Sequence, residues 1–316
     1  MTSAAAMPVC VRVPGKINLD LTVGARGDDG YHPIATVFHA VSVFDDVVVT
    51  ATGSDDPVEL VVEGDAEGVP TDDTNLAVRA AHLLQRRTGV DQGARIELRK
   101  QIPVAGGMAG GSADAAGALV ACDAGWDTGL SREELLSLAA ELGADVSFAL
   151  VGGTALGSGR GEQITPVLGR GHYEWVLALS DEGLSTADVY AEFDRLTGGG
   201  PTHRATLAEP RVADSMMQAL RQGDSEALGG ALHNDLQRAA VSLRPQLSQV
   251  LDVGIEYGAL GGLVSGSGPT VAFLARDHEQ ALDLSVALTA SGVCSQVRRA
   301  AGPVPGARIA ELPRIH

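Results

Sequence analysis

Hydrophobic and polar positions alternate through the first hundred residues. Val9 to Val13 reads as a strand ending at Pro14-Gly15. A second alternating run puts Ile17, Leu19, Leu21 and Val23 on one face and Lys16, Asn18, Asp20 and Thr22 on the other. Lys16 and Asn18 therefore point the same way. Ile34 to Val49 alternates again, and Pro57 to Glu63 suggests a further strand, so the opening segment predicts a mostly antiparallel sheet. The period lengthens after Asp73-Thr74-Asn75 into a helix through Gln85 that ends near Gly89, with Asp73 or Thr74 as its N-cap. Ala94 to Ile102 predicts a strand leading into a glycine-rich loop, and an Ala-rich helix starts near Ser112. Ser131 and Glu134 have capping-box spacing before Leu135, Leu138 and Leu142, with Gly143 as C-cap. Val151 to Gly161 reads as a turn plus strand, with Arg160 available for an ion pair.

A shift in composition at Thr165–Gly171 marks a domain boundary, giving an N-terminal unit over 1–165 and a C-terminal unit over 166–316. Tyr173 to Leu179 is the next predicted strand. Ser185-Thr186 opens a helix carrying Val189, Tyr190 and Phe193, and Gly198 to Pro201 is a loop. Ala205 to Leu232 is helical in pattern with breaks at Gly223 and Gly229-Gly230; Asn234-Asp235-Leu236 follows, and Pro245 leads a helix within Arg244–Tyr257. Ser265 to Gly268 forms a tight turn between two short apolar strands. Glu279 to Thr289 is a helix, and Gln296 to Arg299 a last strand. Strand–helix–strand order around a central hairpin fits a ferredoxin-like α+β domain. The proline-containing segment from Gly302 to His316 is expected as a tail on the surface.

Composition narrows the function classes. The net charge of −17 argues against a nucleic-acid partner, which would call for a basic face. No apolar run approaches the roughly 20 residues that cross a bilayer. The first residues, Met1 to Ala6, lack a basic or signal-like segment and read as a frayed end. Cys10, Cys122 and Cys294 lie far apart in apolar contexts, which suggests buried thiols in a reducing cytoplasm. Only Lys16 and Lys100 are lysines among the 23 basic residues, so each is a candidate for a place that needs a compact ammonium.

Gly106, Gly107, Gly110 and Gly111 allow positive φ and inward-turned N–H groups just before a helix start. Such a loop is either a flexible turn before a core helix or an anion site for a nucleoside triphosphate. It is not a Walker A loop, since no lysine precedes Ser112, and it lacks the Gly-x-Gly-x-x-Gly spacing of a dinucleotide oxidoreductase. A phosphate held there would need a cation from elsewhere, and Lys16 beside Asn18 is a candidate. Asp145, between apolar neighbours after Gly143, is either a cap or a catalytic carboxylate. Tyr31-His32 at a loop exit suits a planar ligand, or is an ordinary surface pair. Asp72 to Asn75 are candidates for the adenine side.

Three separated motifs, Pro14-Gly15-Lys16-Ile17-Asn18-Leu19, Pro103-Val104-Ala105-Gly106-Gly107-Met108-Ala109-Gly110-Gly111-Ser112-Ala113 and Ser265-Gly266-Ser267-Gly268-Pro269-Thr270, occur together in an order and spacing that resemble the GHMP kinase superfamily over nearly the whole chain. Gly30-Tyr31-His32 and Leu142-Gly143-Ala144-Asp145-Val146 are similar to the branch that phosphorylates a cytidine-diphosphate sugar alcohol in non-mevalonate isoprenoid synthesis. Gly15 departs from the alanine common there. The resemblance implies a two-domain α+β fold, with an N-terminal ribosomal-S5-domain-2-like domain and a C-terminal ferredoxin-like one. It implies ATP and Mg2+ as cofactors, with Pro103 to Ala113 on the phosphates and Ser112 near the metal. Asp145 would be the general base and Lys16 would stabilise the alkoxide, while Asn18, Tyr31, His32 and Tyr190 would bind the acceptor. A cytoplasmic enzyme, monomeric or a weak homodimer, is expected. Another small-molecule kinase of this superfamily, for homoserine, mevalonate or a sugar, and a non-catalytic nucleotide-binding regulator are the alternatives.

Overall fold

The computed structural model describes residues 7–64, 67–198 and 209–311, and two sheets organise them. The first contains β1 (Val9–Val23), β2 (Ile34–Ser54), β3 (Val58–Gly64) and β4 (Gln92–Lys100), in the order β1-β2-β4-β3. Strand β5 (Thr154–Ser158) pairs with β2, and β6 (Gln163–Pro166) with β5. The neighbours are antiparallel except β3–β4, which run parallel. The two strands expected to meet at Pro14-Gly15 are one strand. Its register against β2 shifts there, with Pro14 opposite Phe44 and Gly15 opposite Val41. That irregularity accommodates a proline, which has no N–H for a ladder.

Helices α1 (Leu76–Thr88), α2 (Gly110–Gly125), α3 (Arg132–Leu142) and α4 (Ala144–Val151) accompany this sheet. Helix α2 lies directly on β1 and β2. At Gly117 an added Cβ would come 2.5 Å from a Val47 methyl, so a larger residue would lift the helix off the sheet. Small side chains such as Ala115, Ala116 and Ala118 fill the seam. The cap of α1 is Asn75, whose side chain accepts from the Ala77 N–H, and not Asp73 or Thr74. The Thr74 hydroxyl is already used, donating to Asp72 at 2.5 Å. Helix α3 carries the expected capping box of Ser131 and Glu134.

The second sheet has the order β11-β7-β10-β9, built from β7 (Tyr173–Leu179), β9 (Gly261–Val264), β10 (Val271–Ala275) and β11 (Gln296–Gly302). Helix α5 (Thr186–Thr197) follows β7, and the helix His278–Ser291 joins β10 to β11. This is the expected ferredoxin-like pattern. Between α5 and β9 the chain forms helices at Asp214–Gln222, Ser225–Ala231, Gln237–Leu243 and Gln246–Glu256. The third of these has no counterpart in the sequence pattern: it is short and has no side-chain cap. The fourth is the helix expected within Arg244–Tyr257. The frayed start at 1–6, most of the Gly198–Pro201 loop, the first residues of the expected 205–232 helix and the end at 312–316 lie outside the described residues.

Two late segments return to the first sheet. Strand β8 (His233–Asn234) pairs in parallel with β1 at Asp20 and Leu21. Strand β12 (Arg308–Ala310) pairs with Cys10 to Arg12, so the segment expected as a surface tail supplies an edge strand. Leu21 and Val23 of β1 belong to the same apolar cluster as Val264 and Val271, which joins the two sheets through shared burial. Cys10 and Cys122 are buried as expected; Cys294 is only half-buried.

Two polar groups inside the fold have clear physical roles. Lys100 is buried between Asp45 at 2.5 Å and Asp114 at 2.6 Å. Burial alone would lower its pKa, but the two carboxylates outweigh it and hold the ammonium above its ordinary value. Asp45 also accepts the Gln101 and Ile102 N–H groups, which fixes the chain where β4 enters the glycine loop. His39 is fully buried, with Nδ1 2.8 Å from the Thr154 hydroxyl. Burial and the neighbouring His172 push its pKa down from 6.5 to about 3.

His39 thus stays neutral in the folded chain where the unfolded chain takes up a proton. Stability should fall as pH drops below about 6.5, by up to about 1.4 kcal/mol per pH unit from this group, and the loss should level off near its folded pKa. Urea unfolding at pH 6.5 and pH 5 should show a smaller loss, by up to about 2 kcal/mol, in His39→Asn, which keeps a polar atom near Thr154 but does not titrate.

Candidate active site

The site forms where β1, the loop between β4 and α2, the start of α4 and the turn after β9 converge. Lys16 projects from the middle of β1 and is 7% exposed. Its ammonium donates to the Asn18 side-chain oxygen at 2.6 Å and stands 3.9 Å from an Asp145 carboxylate oxygen. Asn18 in turn donates to the Thr36 hydroxyl at 2.8 Å, and that hydroxyl donates to the Asp20 carbonyl at 2.6 Å. This relay fixes the amide so that its oxygen faces the ammonium. Burial lowers the Lys16 pKa from its ordinary value, and the charge of Asp145 opposes that shift in part. Asp145 lies in the first turn of α4 with its side chain one-third exposed, open to the cavity that Lys16 also lines.

In the glycine-rich loop, only Gly107 of the four glycines has positive φ, at 74°. The other left-handed residues are Ala105 at 52° and Ala109 at 60°. Of the glycines, Gly106 and Gly107 permit close approach. An added Cβ on Gly107 would stand 2.2 Å from the Ser265 carbonyl oxygen, and one on Gly106 2.9 Å from Pro103. Strained alanines at a loop of this kind are held only when the surroundings fix them. Ala109 is the N-cap of α2 and has no side-chain capping bond, so the first N–H groups of the helix are left for another acceptor. Helix α2 begins at Gly110, two residues before the expected start.

A cavity of about 630 Å³ contains Lys16, Asn18, Asp145, Gly106, Gly107, Gly110, Gly111 and Ser112 in its wall. A second cavity, of about 220 Å³, shares Pro103, Ala105, Gly110 and Gly111 with it and adds Val104, Thr74 and Asn75. A third, of about 420 Å³, shares Ile34, Arg160, Thr186 and Tyr190 and adds Tyr31, His32 and Asp194. The three adjoin as one trough, with Lys16 and Asp145 in the central part.

Most of the motif residues face this trough. Met108 and Ala113 are buried in the core instead. Met108 still serves the site, because its carbonyl accepts the Lys16 N–H at 3.2 Å. Gly15 lets the Met108 methyl approach within 3.3 Å of where a Cβ would sit. Lys100, the other candidate ammonium, lines the smallest cavity while bound to its two carboxylates. Of the residues taken for the adenine side, Thr74 and Asn75 reach that cavity, whereas Asp72 and Asp73 are not among its lining residues.

At the other end, His32 is buried with Nδ1 2.8 Å from the Gly24 carbonyl. A carbonyl only accepts, so the proton is on Nδ1. Nε2 faces Asp194 at 3.4 Å. The Tyr190 ring lies 5.2 Å from that of His32, and burial, with the nearby Asp145 charge, pushes its hydroxyl up to about 12. Tyr31 is 56% exposed, and the Arg160 guanidinium lies 3.9 Å over its ring while bonding Asp29 at 2.7 Å. Arg160 and Asp194 are therefore site residues that periodicity did not mark out. Arg160 was visible only as a cation after a glycine turn, and Asp194 as one acid in an amphipathic helix.

The donors also fit a divalent cation. Ser112 lines the same cavity as Asp145. Magnesium keeps most of its waters and needs few protein oxygens. No cluster of three or more His, Cys, Asp or Glu residues suited to a metal occurs among the described residues.

Comparison with known proteins agrees with this geometry. Residues 75–153 match the GHMP kinases N terminal domain, and residues 216–294 the GHMP kinases C terminal domain. A 4-diphosphocytidyl-2-C-methyl-D-erythritol kinase of Thermobifida fusca is 53% identical over 307 residues, covering 95% of this chain and 98% of its own. A crystal structure of 4-(cytidine 5'-diphospho)-2C-methyl-D-erythritol kinase superposes with a TM-score of 0.73 at 31% identity, over 92% of this chain and 98% of that one. Homoserine kinase from Cytophaga hutchinsonii reaches the same TM-score at 18% identity, over 98% and 99% of the two chains, and so shares the fold. With both family segments present and a relative of that identity along nearly its full length, the chain belongs to the GHMP kinase family.

Proposed function

We propose that this kinase transfers the terminal phosphoryl group of ATP to the tertiary C2 hydroxyl of 4-diphosphocytidyl-2-C-methyl-D-erythritol. The observation that carries the reading is the continuous trough with Lys16 and Asp145 3.9 Å apart at its centre. The glycine loop and the free start of α2 form one flank and suit the ATP phosphates, with the smallest cavity beyond them for the base. The aromatic pocket of Tyr31, His32 and Tyr190 forms the other flank and suits a pyrimidine ring. Homoserine, mevalonate and simple sugars carry no planar aromatic ring for such a pocket.

A tertiary alcohol is a poor nucleophile at neutral pH. In this reading Asp145 accepts its proton as the hydroxyl oxygen attacks the phosphorus. The Lys16 ammonium, held by Asn18, stabilises the charge developing on that oxygen. Burial strengthens this contribution because little water competes for the ammonium. The loop N–H groups hold the phosphates in line with the acceptor, and positioning of this kind supplies much of the rate in phosphoryl transfer. Bound magnesium would neutralise phosphate charge; the Ser112 hydroxyl, with phosphate oxygens and water, would hold it.

Asp145→Asn should lower kcat by about 10²- to 10⁴-fold with little change in the KM for ATP, measured by product formation with phosphorus NMR. Full turnover in a folded variant would remove Asp145 from the mechanism.

Lys16 must stay protonated in this scheme and has a lowered pKa. The alkaline limb of the kcat–pH profile should therefore bend below the ordinary lysine value of about 10.4, and Lys16→Arg should move that limb upward in whatever activity it retains. A flat profile to pH 10 would argue against a titrating Lys16.

Tyr190→Ala should raise the KM for the cytidyl acceptor by about tenfold, as expected for losing one aromatic contact of roughly 1 kcal/mol or more, and leave the KM for ATP within about twofold. Phosphorylation of homoserine or mevalonate in place of the cytidyl acceptor would overturn the substrate assignment.

A further inference from the structure

Asn234 is absent from the walls of all three cavities, yet it ties together elements that build them. It is 7% exposed, and three of the four hydrogen-bonding positions of its amide are in use. The side-chain nitrogen donates to the Val264 and Gly266 carbonyls, both at 2.7 Å. The side-chain oxygen accepts the Leu236 N–H at 2.9 Å. The residues around it are fastened to the strand that carries Lys16. His233 and Asn234 pair in parallel with Asp20 and Leu21, the Asp235 N–H donates to the Leu21 carbonyl at 2.9 Å, and the Asp235 carboxylate accepts the Val23 N–H at 2.8 Å.

The turn that Asn234 holds closes over the ammonium. At Gly266, with φ +57°, a Cβ would lie 3.2 Å from both the Lys16 ammonium and the Asn18 oxygen. The adjoining Ser265 hydroxyl donates to the Gly107 carbonyl at 3.1 Å. No other side chain supplies this set of bonds at this length. Aspartate has no donor, glutamine is one methylene longer and alanine has neither group.

Building on the phosphoryl-transfer role proposed for Lys16, we propose that Asn234 is a positioning residue: its amide sets the height of the Gly266 turn above Lys16, keeping the ammonium dry and aimed at the acceptor side of Asp145. Releasing the turn admits water to Lys16, while Gly266 is not in the wall of the smallest cavity or of the aromatic one.

The two lysines of this chain make a direct test possible. Labelling lysine with ¹³C at Cε gives one signal from Lys16 and one from Lys100. In N234A the Lys16 signal should titrate about one pH unit higher than in the parent, because hydration favours the charged form, and Lys100 should be unmoved. With the cytidyl acceptor, kcat should fall by about 10- to 100-fold while the KM for that acceptor stays within about threefold. N234D is isosteric and carries the same tests if N234A does not fold. Its ratio of kcat to that of the parent should climb from pH 8 to pH 6, as a protonated carboxyl regains one donor. An unmoved Lys16 titration in a folded variant overturns the proposal, as does a loss that falls wholly in KM. Failure of the parent enzyme to phosphorylate the cytidyl acceptor would overturn the substrate reading alone, since the lysine titration judges Asn234 without any substrate.

Discussion

The site depends on one backbone-to-backbone contact between the two sheets. The turn at Ser265–Gly268 docks on Gly106 and Gly107 so closely that a single methyl on Gly107 would stand 2.2 Å from the Ser265 carbonyl oxygen. The Thr270 N–H donates to the Gly106 carbonyl at 3.3 Å, and the Ser265 hydroxyl to the Gly107 carbonyl at 3.1 Å. These bonds commit carbonyls of the glycine loop to the second sheet. Together with the Lys16 N–H bond to the Met108 carbonyl, they hold a loop in which Ala105 and Ala109 are left-handed, a region that disfavours an L-residue by about 1 kcal/mol or more. The loop is therefore rigid because of a partner distant in sequence, and its glycines serve contact more than flexibility.

Beside this contact lies a buried ammonium, partly offset by Asp145 and Asn18. An uncompensated charge in the interior costs several kcal/mol, and Lys16 has one carboxylate at 3.9 Å and one amide oxygen at 2.6 Å to offset it. Lys100 shows the alternative. With two carboxylates in direct contact its charge is fully compensated and its pKa lies above the ordinary value, while that of Lys16 lies below. One lysine is built to stay charged and anchor the loop's entrance. The other is left under-compensated, a state that a developing negative charge in the site would relieve.

Much of this could be read from the residues alone. The alternation around Lys16 and Asn18, the capping box at Ser131, the ferredoxin-like order and the glycine loop all follow from local pattern, and local pattern is what a sequence states directly. The cap of α1, the continuous β1 and the edge strand at Arg308–Ala310 did not. Each is decided by a competitor or partner outside the local window: Asp72 occupies Thr74, a register shift against β2 absorbs Pro14, and Cys10 to Arg12 offer a free edge. Arg160 and Asp194 were hidden for the same reason. Their significance comes from Tyr31 and His32, more than 120 residues earlier in the chain.

The charge balance of the chain leads to the last step. A net charge of −17 repels a polyanionic nucleotide at long range, so the overall field does nothing to gather substrate. At physiological ionic strength that repulsion is screened beyond about 8 Å, whereas contacts inside a partly buried trough are screened far less. In the proposed reading, binding then comes from short-range donors: the loop N–H groups, the start of α2 and the ammonium of Lys16. An acidic chain cannot hold polyphosphate loosely in many places. In the proposed site the backbone and one lysine are brought together for this purpose, and the docking of the second sheet on the glycine loop contributes to that convergence.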